Sequence, residues 1–524
     1  MKTFGRNCSV RRPETSRLPW QSVAILVMLV TSALRFSAQT AQPSIPAQIQ
    51  QLTSAMERTQ AQLKQSQQQL DEMRTQLAAL QQQMAQQQGT TGPALATDPA
   101  APPADQSQTQ SAELEDIREH QAIQDTQIAT LDQTKVESES KYPVKITGLL
   151  LFNGFVNTHG VDLPATPTVA WPGSGSTGAS VRQTVVGIDA SGPHLFGARS
   201  YADLRVDFYG NVVPPVSGAP VGSYSTNDSF IRLKTAHAGL QWENTEAAFS
   251  YERPLISPDY PTSLTAVANP PLAWSGNLWA WNPQLTLTQN VPLADSHALQ
   301  LQAAMIDVGD PPISLTNLNS GAVALPSGAE QSRWPGLEAR IALLGSQRDD
   351  RDHVGVGGYF SPHVLPSGRR FDAWAGSIDA RFHLPARLQF SGNVYRGLAL
   401  GGLGGGGYKD YGYFYLSSQD IYFFRPLNDV GGWAQLKEKW SERLEFNGAF
   451  GMDNVFADDL RRYAIPSGSM YQRLARNRTW TGNVIYSPSA YLLFSLEYRR
   501  IASAPVTGLS SSSNVIGLSA GYKF

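Results

Sequence analysis

The chain has 524 residues, with 41 Lys and Arg against 43 Asp and Glu, so its charge balance leaves no basic footprint for nucleic acid. A mean hydropathy of -0.26 would suggest a soluble protein. Membrane barrels escape that test, however, because lipid-facing and lumen-facing residues alternate along each strand and cancel in any average.

The first element is a basic head, with Lys2, Arg6, Arg11, Arg12 and Arg17, followed by an apolar run from Val23 to Val30 and by Ala33 and Leu34. That run is shorter than the roughly 20 residues a spanning helix needs. It therefore reads as a secretory signal over 1–41, with cleavage after Ala38 or Ala41. Pro13 and Glu14 behind the arginine pair favour the general secretory route over a twin-arginine one. Cys8 is the single cysteine and lies in the discarded piece, so the mature chain has no disulfide, thiol nucleophile or thiolate metal site.

Over 45–88 the apolar residues recur at spacings of three and four: Ile49, Met56, Leu63, Leu70, Leu77 and Met84 on one seam, Leu52, Met73 and Leu80 on the other. This is the pattern of an α-helical coiled coil. A Gln-rich disordered tract is the competing reading, but it gives no reason for so many heptads in phase. Residues 89–110 are rich in Pro, Ala, Thr and Gln and read as a flexible linker, and a second, shorter coil follows over 111–135 with Leu114, Ile117, Ile128 and Leu131 in phase. Pro143 then ends any helix.

From Val144 the texture changes to alternating segments, of which sixteen can be marked. They lie near 145–157, 181–190, 201–209, 230–242, 247–252, 281–289, 297–306, 337–344, 353–360, 374–382, 388–395, 433–440, 444–452, 480–486, 491–499 and 514–524. In the third, Ala202, Leu204, Val206 and Phe208 alternate with Asp203, Arg205 and Asp207; such charges would be ruinous against lipid and so must line a lumen. The fourth loses phase near His237, which predicts a bulge there. The last runs to an aromatic terminus, with Ile516, Leu518, Ala520, Tyr522 and Phe524 on one face. Long connections fall at every second position, so 144–524 reads as an all-β transmembrane barrel of sixteen antiparallel strands with both ends in the periplasm. An eighteen-stranded barrel stays open should a long connection hide a hairpin.

A barrel of this size leaves an aqueous channel unless something folds into it. The third long connection, 253–280, carries five prolines, many apolar residues and only Arg253 and Asp259 as charges. Such a segment belongs inside the wall as a constriction, with Arg253, Asp259, Trp274 and Trp279 as its candidate residues. Arg182, Arg205, Arg232, Lys234, Arg340, Arg381 and Arg499 point inward, and Lys437 with them; guanidinium groups there would attract carboxylates or phosphates. Asp203, Asp207, Glu252, Glu338, Asp379, Glu445 and Glu497 also point inward, so cross-strand pairing could consume much of that charge.

The segments SPDYPTSL (Ser257–Leu264) and SGNLW (Ser275–Trp279), the strand GGWAQLKEKW (Gly431–Trp440) and the terminus GYKF (Gly521–Phe524) resemble trimeric outer-membrane porins of the phosphate-selective and DcaP-like, dicarboxylate, type. The resemblance covers nearly the whole mature chain and implies the order signal peptide, coiled coil, sixteen-stranded barrel. It implies a homotrimer in the outer membrane, among its lipids, passing small polar or anionic solutes without a cofactor. Its motifs are architectural, so the solute does not transfer with them, and the barrel cations here are mostly Arg rather than a lysine ladder.

Gly402–Gly407 matches a GxGxxG string, but no helix with an acidic ribose partner follows, and it reads as flexible outer loop. The eight histidines are scattered and no Ser sits in a GxSxG turn, so zinc and serine-hydrolase chemistry find no support and the chain reads as a non-enzyme. Two alternatives remain: an envelope anchor whose coil reaches toward peptidoglycan, and an outer-membrane lipase, which would need a Ser and His pair on the wall.

Overall fold

The computed structural model describes residues 143–210, 229–293, 297–314, 326–345, 351–416, 418, 421–463 and 470–524. The expected signal, both coils and the linker lie outside the described residues.

The chain folds as an antiparallel sheet closed on itself. Its first strands are β1 (Val144–Val161), β2 (Ala170–Ser180), β3 (Val185–Leu195), β4 (Ala198–Asp207), β5 (Arg232–Gln241), β6 (Thr245–Glu252), β7 (Asn282–Pro292), β8 (Ala298–Ile306) and β9 (Gly336–Leu344). There follow β10 (His353–Val364), β11 (Arg370–Leu384), β12 (Leu388–Leu398), β13 (Tyr411–Leu416) and β14 (Ile421–Pro426). The last are β15 (Asn428–Lys439), β16 (Leu444–Val455), β17 (Leu474–Tyr486), β18 (Leu492–Pro505) and β19 (Ser511–Lys523). β2 and β3 pair with the outer and inner halves of the same flank of β1, so they are one stave broken at 181–184, and the barrel has 16 strands. β13 and β14 pair only with each other. A long connection does hide a hairpin, but it stands apart from the wall, and the eighteen-stranded alternative falls.

β19 closes the barrel on β1 in the register Phe152↔Ala520 and Val156↔Ile516. The terminal residue completes the seam: Phe524 N donates to Gly148 O at 3.0 Å and Gly148 N to Phe524 O at 2.8 Å. The Phe524 ring then covers the bare Cα of Gly148, where a Cβ would lie 2.4 Å from it.

The wall is inside-out, as a spanning barrel must be. On β9, Leu337, Ile341 and Leu343 are 52, 50 and 49 % exposed to the outside, while Glu338 and Arg340 between them are each 3 % exposed. Short turns such as 385–387, 440–443 and 487–491 join strands at one end, and the long connections gather at the other.

Two local expectations need correction. The bulge sits at Lys234, where the pairing steps from Arg205↔Thr235 to Val206↔Leu233, and not near His237, which pairs directly with Asp203. The outer ends of several strands also run on beyond the apolar alternation: β1 and β2 leave only 162–169 of the connection expected at 158–180, and β18 and β19 leave 506–510. Above the membrane a ladder faces water on its outside, so Gly, Ser and Thr suffice and the lipid-imposed rhythm disappears.

Candidate functional site

The connection 253–281 lies inside the barrel and is held by wall after wall. Leu255 N donates to Glu338 on β9 at 2.8 Å, and Asn393 of β12 donates to Ile256 O at 2.8 Å. Asp259 accepts from Arg381 of β11. Thr262 N donates to Gln435 of β15 at 2.6 Å, Thr262 O accepts from Asn483 of β17 at 2.8 Å, and Ser263 Oγ donates to Glu497 of β18 at 2.5 Å. Leu264 O accepts from Asn153 of β1 and Ser519 of β19 at 2.8 and 3.1 Å. Gln183, in the break between β2 and β3, donates to Thr265 O at 2.9 Å and accepts from Val267 N at 2.7 Å and Ala268 N at 3.0 Å. Arg232 of β5 donates to Ala268 O at 2.8 Å, and Lys234 to Val267 O. A proline-rich segment has few backbone donors of its own, so the wall supplies its partners. Most of those holding it are uncharged Asn, Gln, Ser and Thr, which a search for charges passes over; inward-phased Asn and Gln on otherwise ordinary strands were the available clue.

The segment then doubles back against β15–β17. Gly276 has φ +95°, and a Cβ there would meet Gly432 O at 2.1 Å. Gly451 answers from the wall, where a Cβ would meet Ser275 O at 2.2 Å. Asn477 donates to Trp274 O at 3.0 Å, and Ser275 Oγ lies 2.9 Å from Thr479 Oγ1.

Trp274 and Trp279 thus serve as anchors rather than as lumen-facing rings. Trp274 stacks on Tyr408, packs edge-on to Trp279, and joins Val169, Ala273, Met470 and Leu474 in one buried cluster. Gly402–Gly407, expected as a flexible outer loop, lies within this packing as two buried single turns, 401–403 and 406–408. Glycine explains the burial: at Gly404 (φ +96°) a Cβ would lie 2.7 Å from the Trp279 ring. Beside it Lys409, 1 % exposed, donates to Gly407 O and Leu474 O at 2.7 Å and to Tyr471 O at 3.0 Å; burial pushes its pKa down to about 7.

The inward charges are largely spent on one another. Arg340 makes a two-pronged pair with Asp379 at 2.9 and 2.6 Å, both nearly fully buried. Arg499 pairs with Glu497 at 2.5 Å, Arg205 with Asp189 at 2.5 Å and Arg232 with Asp207 at 2.6 Å. Asp203 sits 2.9 Å from His237, whose other nitrogen is 3.4 Å from Glu252, and Glu252 is also 3.7 Å from Arg253. Arg253 lies over the ring of Tyr260 at 4.3 Å. His353 Nε2 lies between Asp259 and Asp379 at 3.2 and 3.3 Å. Burial opposes ionisation of Asp259, but the pairing with His353 and the charge of Arg381 outweigh it and hold the carboxyl below its ordinary range.

Among the described wall cations, Arg182 and Lys234 are held by carbonyls instead: Arg182 donates to those of Phe208 and Gly210, and Lys234 donates to that of Val267. With Arg232 they cluster about two rings, Arg182 lying 4.4 Å over Tyr209 and Arg232 and Lys234 lying 5.3 and 5.8 Å over Trp281. The wall is also lopsided in its wetness. Asp379, Asn393, Asn483 and Glu497, under the inserted segment on β11–β18, are at most 4 % exposed. Asp189, Arg205, Asp203 and His237 on β3–β5 keep 38, 30, 25 and 27 % of their side-chain surface. Of the inward charges, these on β3–β5 are thus among the most exposed, with Arg381 on β11 at 24 % and Lys437 and Glu445 on β15 and β16 at 17 and 22 %.

Closed antiparallel wall, outward apolar face and inward polar face together define the fold of an outer-membrane porin barrel. Among solved structures the chain is similar to the outer membrane channel DcaP of Acinetobacter baumannii, with a TM-score of 0.51 at 14 % identity over 74 % of this chain and 99 % of that one. It is more distantly similar to the anion-selective porin from Comamonas acidovorans and to Pseudomonas putida OprB, each with a TM-score of 0.42 at 10 % identity. These matches cover 73 % of this chain and 100 and 94 % of those chains. No protein-family model and no characterised protein sequence matches the chain.

Proposed function

We propose that this chain is an outer-membrane porin, a homotrimer seated among outer-membrane lipids, through which small hydrophilic solutes diffuse passively. The inserted segment 253–280 is its constriction, and the lining beside it sets which solutes pass. The observation that carries this reading is the segment's attachment to strands all round the inner wall while the β3–β5 side stays wet. A loop serving only to plug the barrel would have no reason to leave one sector of charged wall hydrated.

A preference for anions such as carboxylates or phosphate is proposed from Arg182, Arg232 and Lys234, because among the described residues only Arg232 of that cluster makes an ion pair, with Asp207. Most other inward cations are neutralised by a partner, so the preference is modest. On this reading the amino-terminal coils stand in the periplasm, within reach of peptidoglycan. Reversal potentials of the purified protein in a planar bilayer under a salt gradient test the proposal. A potential of the anion-selective sign supports it, and a cation-selective one removes the anion preference.

A further inference from the structure

The outward face of β17 and β18 carries charge where a lipid-facing wall should have none. Arg476 and Arg478 share the outward phase of Trp480 on β17, and Arg500 on β18 lies directly opposite Trp480. Arg476 and Arg500 are exposed and Arg478 is half-buried. Among the described residues none of the three makes an ion pair or hydrogen bond, and Arg478 merely rests 5.6 Å over the Trp480 ring. Among the described residues of β16–β19 no carboxylate is paired beside them on this face. Its neighbours are Met452 and Asn454 on β16, Ala502 and Ala504 on β18 and Asn514 opposite Arg500 on β19.

The height of the patch matters as much as its charge. All three arginines lie toward the long-connection end of their strands: Arg476 and Arg478 stand beyond Trp480, and Arg500, level with Trp480, stands beyond Tyr498; Phe450, Trp480 and Tyr498 are 39, 39 and 49 % exposed on the same face. Phe450 and Trp480 pack at 5.1 Å as an aromatic girdle. Below them Val484, Leu496, Ile516 and Leu518 continue the apolar surface. Successive outward residues on a strand stand about 6.6 Å apart, and directly and diagonally opposed ones about 5 to 8 Å. The three guanidinium groups therefore span one sugar-phosphate headgroup, over a surface suited to acyl chains.

We propose that this patch is a binding site for a phosphorylated lipid of the outer leaflet, its phosphates held by Arg476, Arg478 and Arg500 and its acyl chains lying on the girdle. Guanidinium groups bind phosphate oxygens in paired hydrogen bonds. The amphiphile fits in one orientation only, because the charge lies from the level of Trp480 outward and the apolar band continues on the other side of it. The inference rests on the outer-membrane placement proposed above.

The test is equilibrium binding to the purified full chain in a neutral detergent, using a multiply acylated glucosamine disaccharide carrying two phosphates, the same lipid stripped of phosphate, and inorganic phosphate alone. Wild type is expected to retain the phosphorylated lipid and to release the other two. The triple variant R476Q/R478Q/R500Q is expected to bind it on the order of a hundredfold more weakly, while R396Q, on the outward face of β12, binds as wild type. Single-channel conductance of the triple variant should be unchanged, which reports a folded barrel. Should the triple variant not fold, R500Q alone is expected to weaken binding severalfold. Equal retention by wild type and a conducting variant overturns the inference and leaves the porin reading standing, as does equal binding of the dephosphorylated lipid or of inorganic phosphate.

Discussion

Trp274 of the inserted segment and Tyr408 of the connection after β12 lie ring on ring, with centroids 4.0 Å apart and planes 16° from parallel. Both hold left-handed backbone, at φ 59° and 75°. Neither is a glycine, so each conformation costs energy and persists because the packing over-determines it. The stack joins two connections far apart in sequence and so couples the inserted segment to the connection after β12.

Trp274→Ala should release that coupling. A stacked pair contributes about 0.5 to 1.5 kcal/mol beyond the area it buries, and emptying a buried Trp site costs about 3 to 5 kcal/mol in all. The expected outcome is a larger and noisier single-channel conductance with the barrel still formed. A conductance indistinguishable from wild type would show that Trp274 does not hold the segment.

Asp259 is the charged fastening of the same segment, paired with Arg381 and His353. Removing one partner of a buried pair costs about 3 to 5 kcal/mol, because the remaining charge is stranded. Asp259→Asn should raise conductance and lower the temperature at which the folded protein is lost in a heat-shift gel. Arg381→Gln should do the same, since it strands the less exposed partner, Asp259, with His353 as its remaining cation.

Charge selectivity should divide the inward cations into two groups. Removing Arg182 and Lys234, which pair with carbonyls, should move the anion-to-cation permeability ratio toward unity. Arg340→Gln should leave the ratio nearly unchanged but destabilise the barrel, since Asp379 would lose a partner inside a dry wall. Reversal potentials separate the two, and a selectivity change in Arg340→Gln would contradict the assignment.

Asp410 gives a pH dependence. Burial is the main cause that pushes its carboxyl up to about 8, with Asp310 adding to the rise. An unfolded Asp titrates near about 3.9, so the folded state binds the extra proton between these values. Its contribution to stability is therefore fully present below about pH 4 and is lost as pH rises through 8. Asp410→Asn should flatten the decline in heat-shift midpoint between pH 4 and 6, a window below the range around 7 in which Lys409 releases its proton. An unchanged slope would remove Asp410 as its source.

The wall was legible because lipid imposes a rule on every second residue: Leu204 and Leu337 have to face out, so Asp203 and Glu338 have to face in. The insertion of 253–280 was legible for the complementary reason, that a segment so apolar and proline-rich is badly placed in water. Where lipid imposes nothing, the sequence is silent. The Gly, Ser and Thr of β2 gave no period, although its ladder continues that of β1. Gly402–Gly407 looked mobile because its burial is decided by Trp279 and Leu278, more than a hundred residues away. Gln183, Asn153 and Asn477 escaped because one amide on a strand says nothing until the carbonyl it holds is known.

The central claim is that polar residues enclose a water path beside an inserted segment, with lipid outside. Adding the purified protein to a planar lipid bilayer between salt solutions tests it most directly. Stepwise, ohmic conductance that a small hydrophilic solute can share and a large polymer cannot is the predicted result. A protein that inserts into the bilayer yet passes no ions, or that stays monodisperse in buffer without detergent, would contradict it.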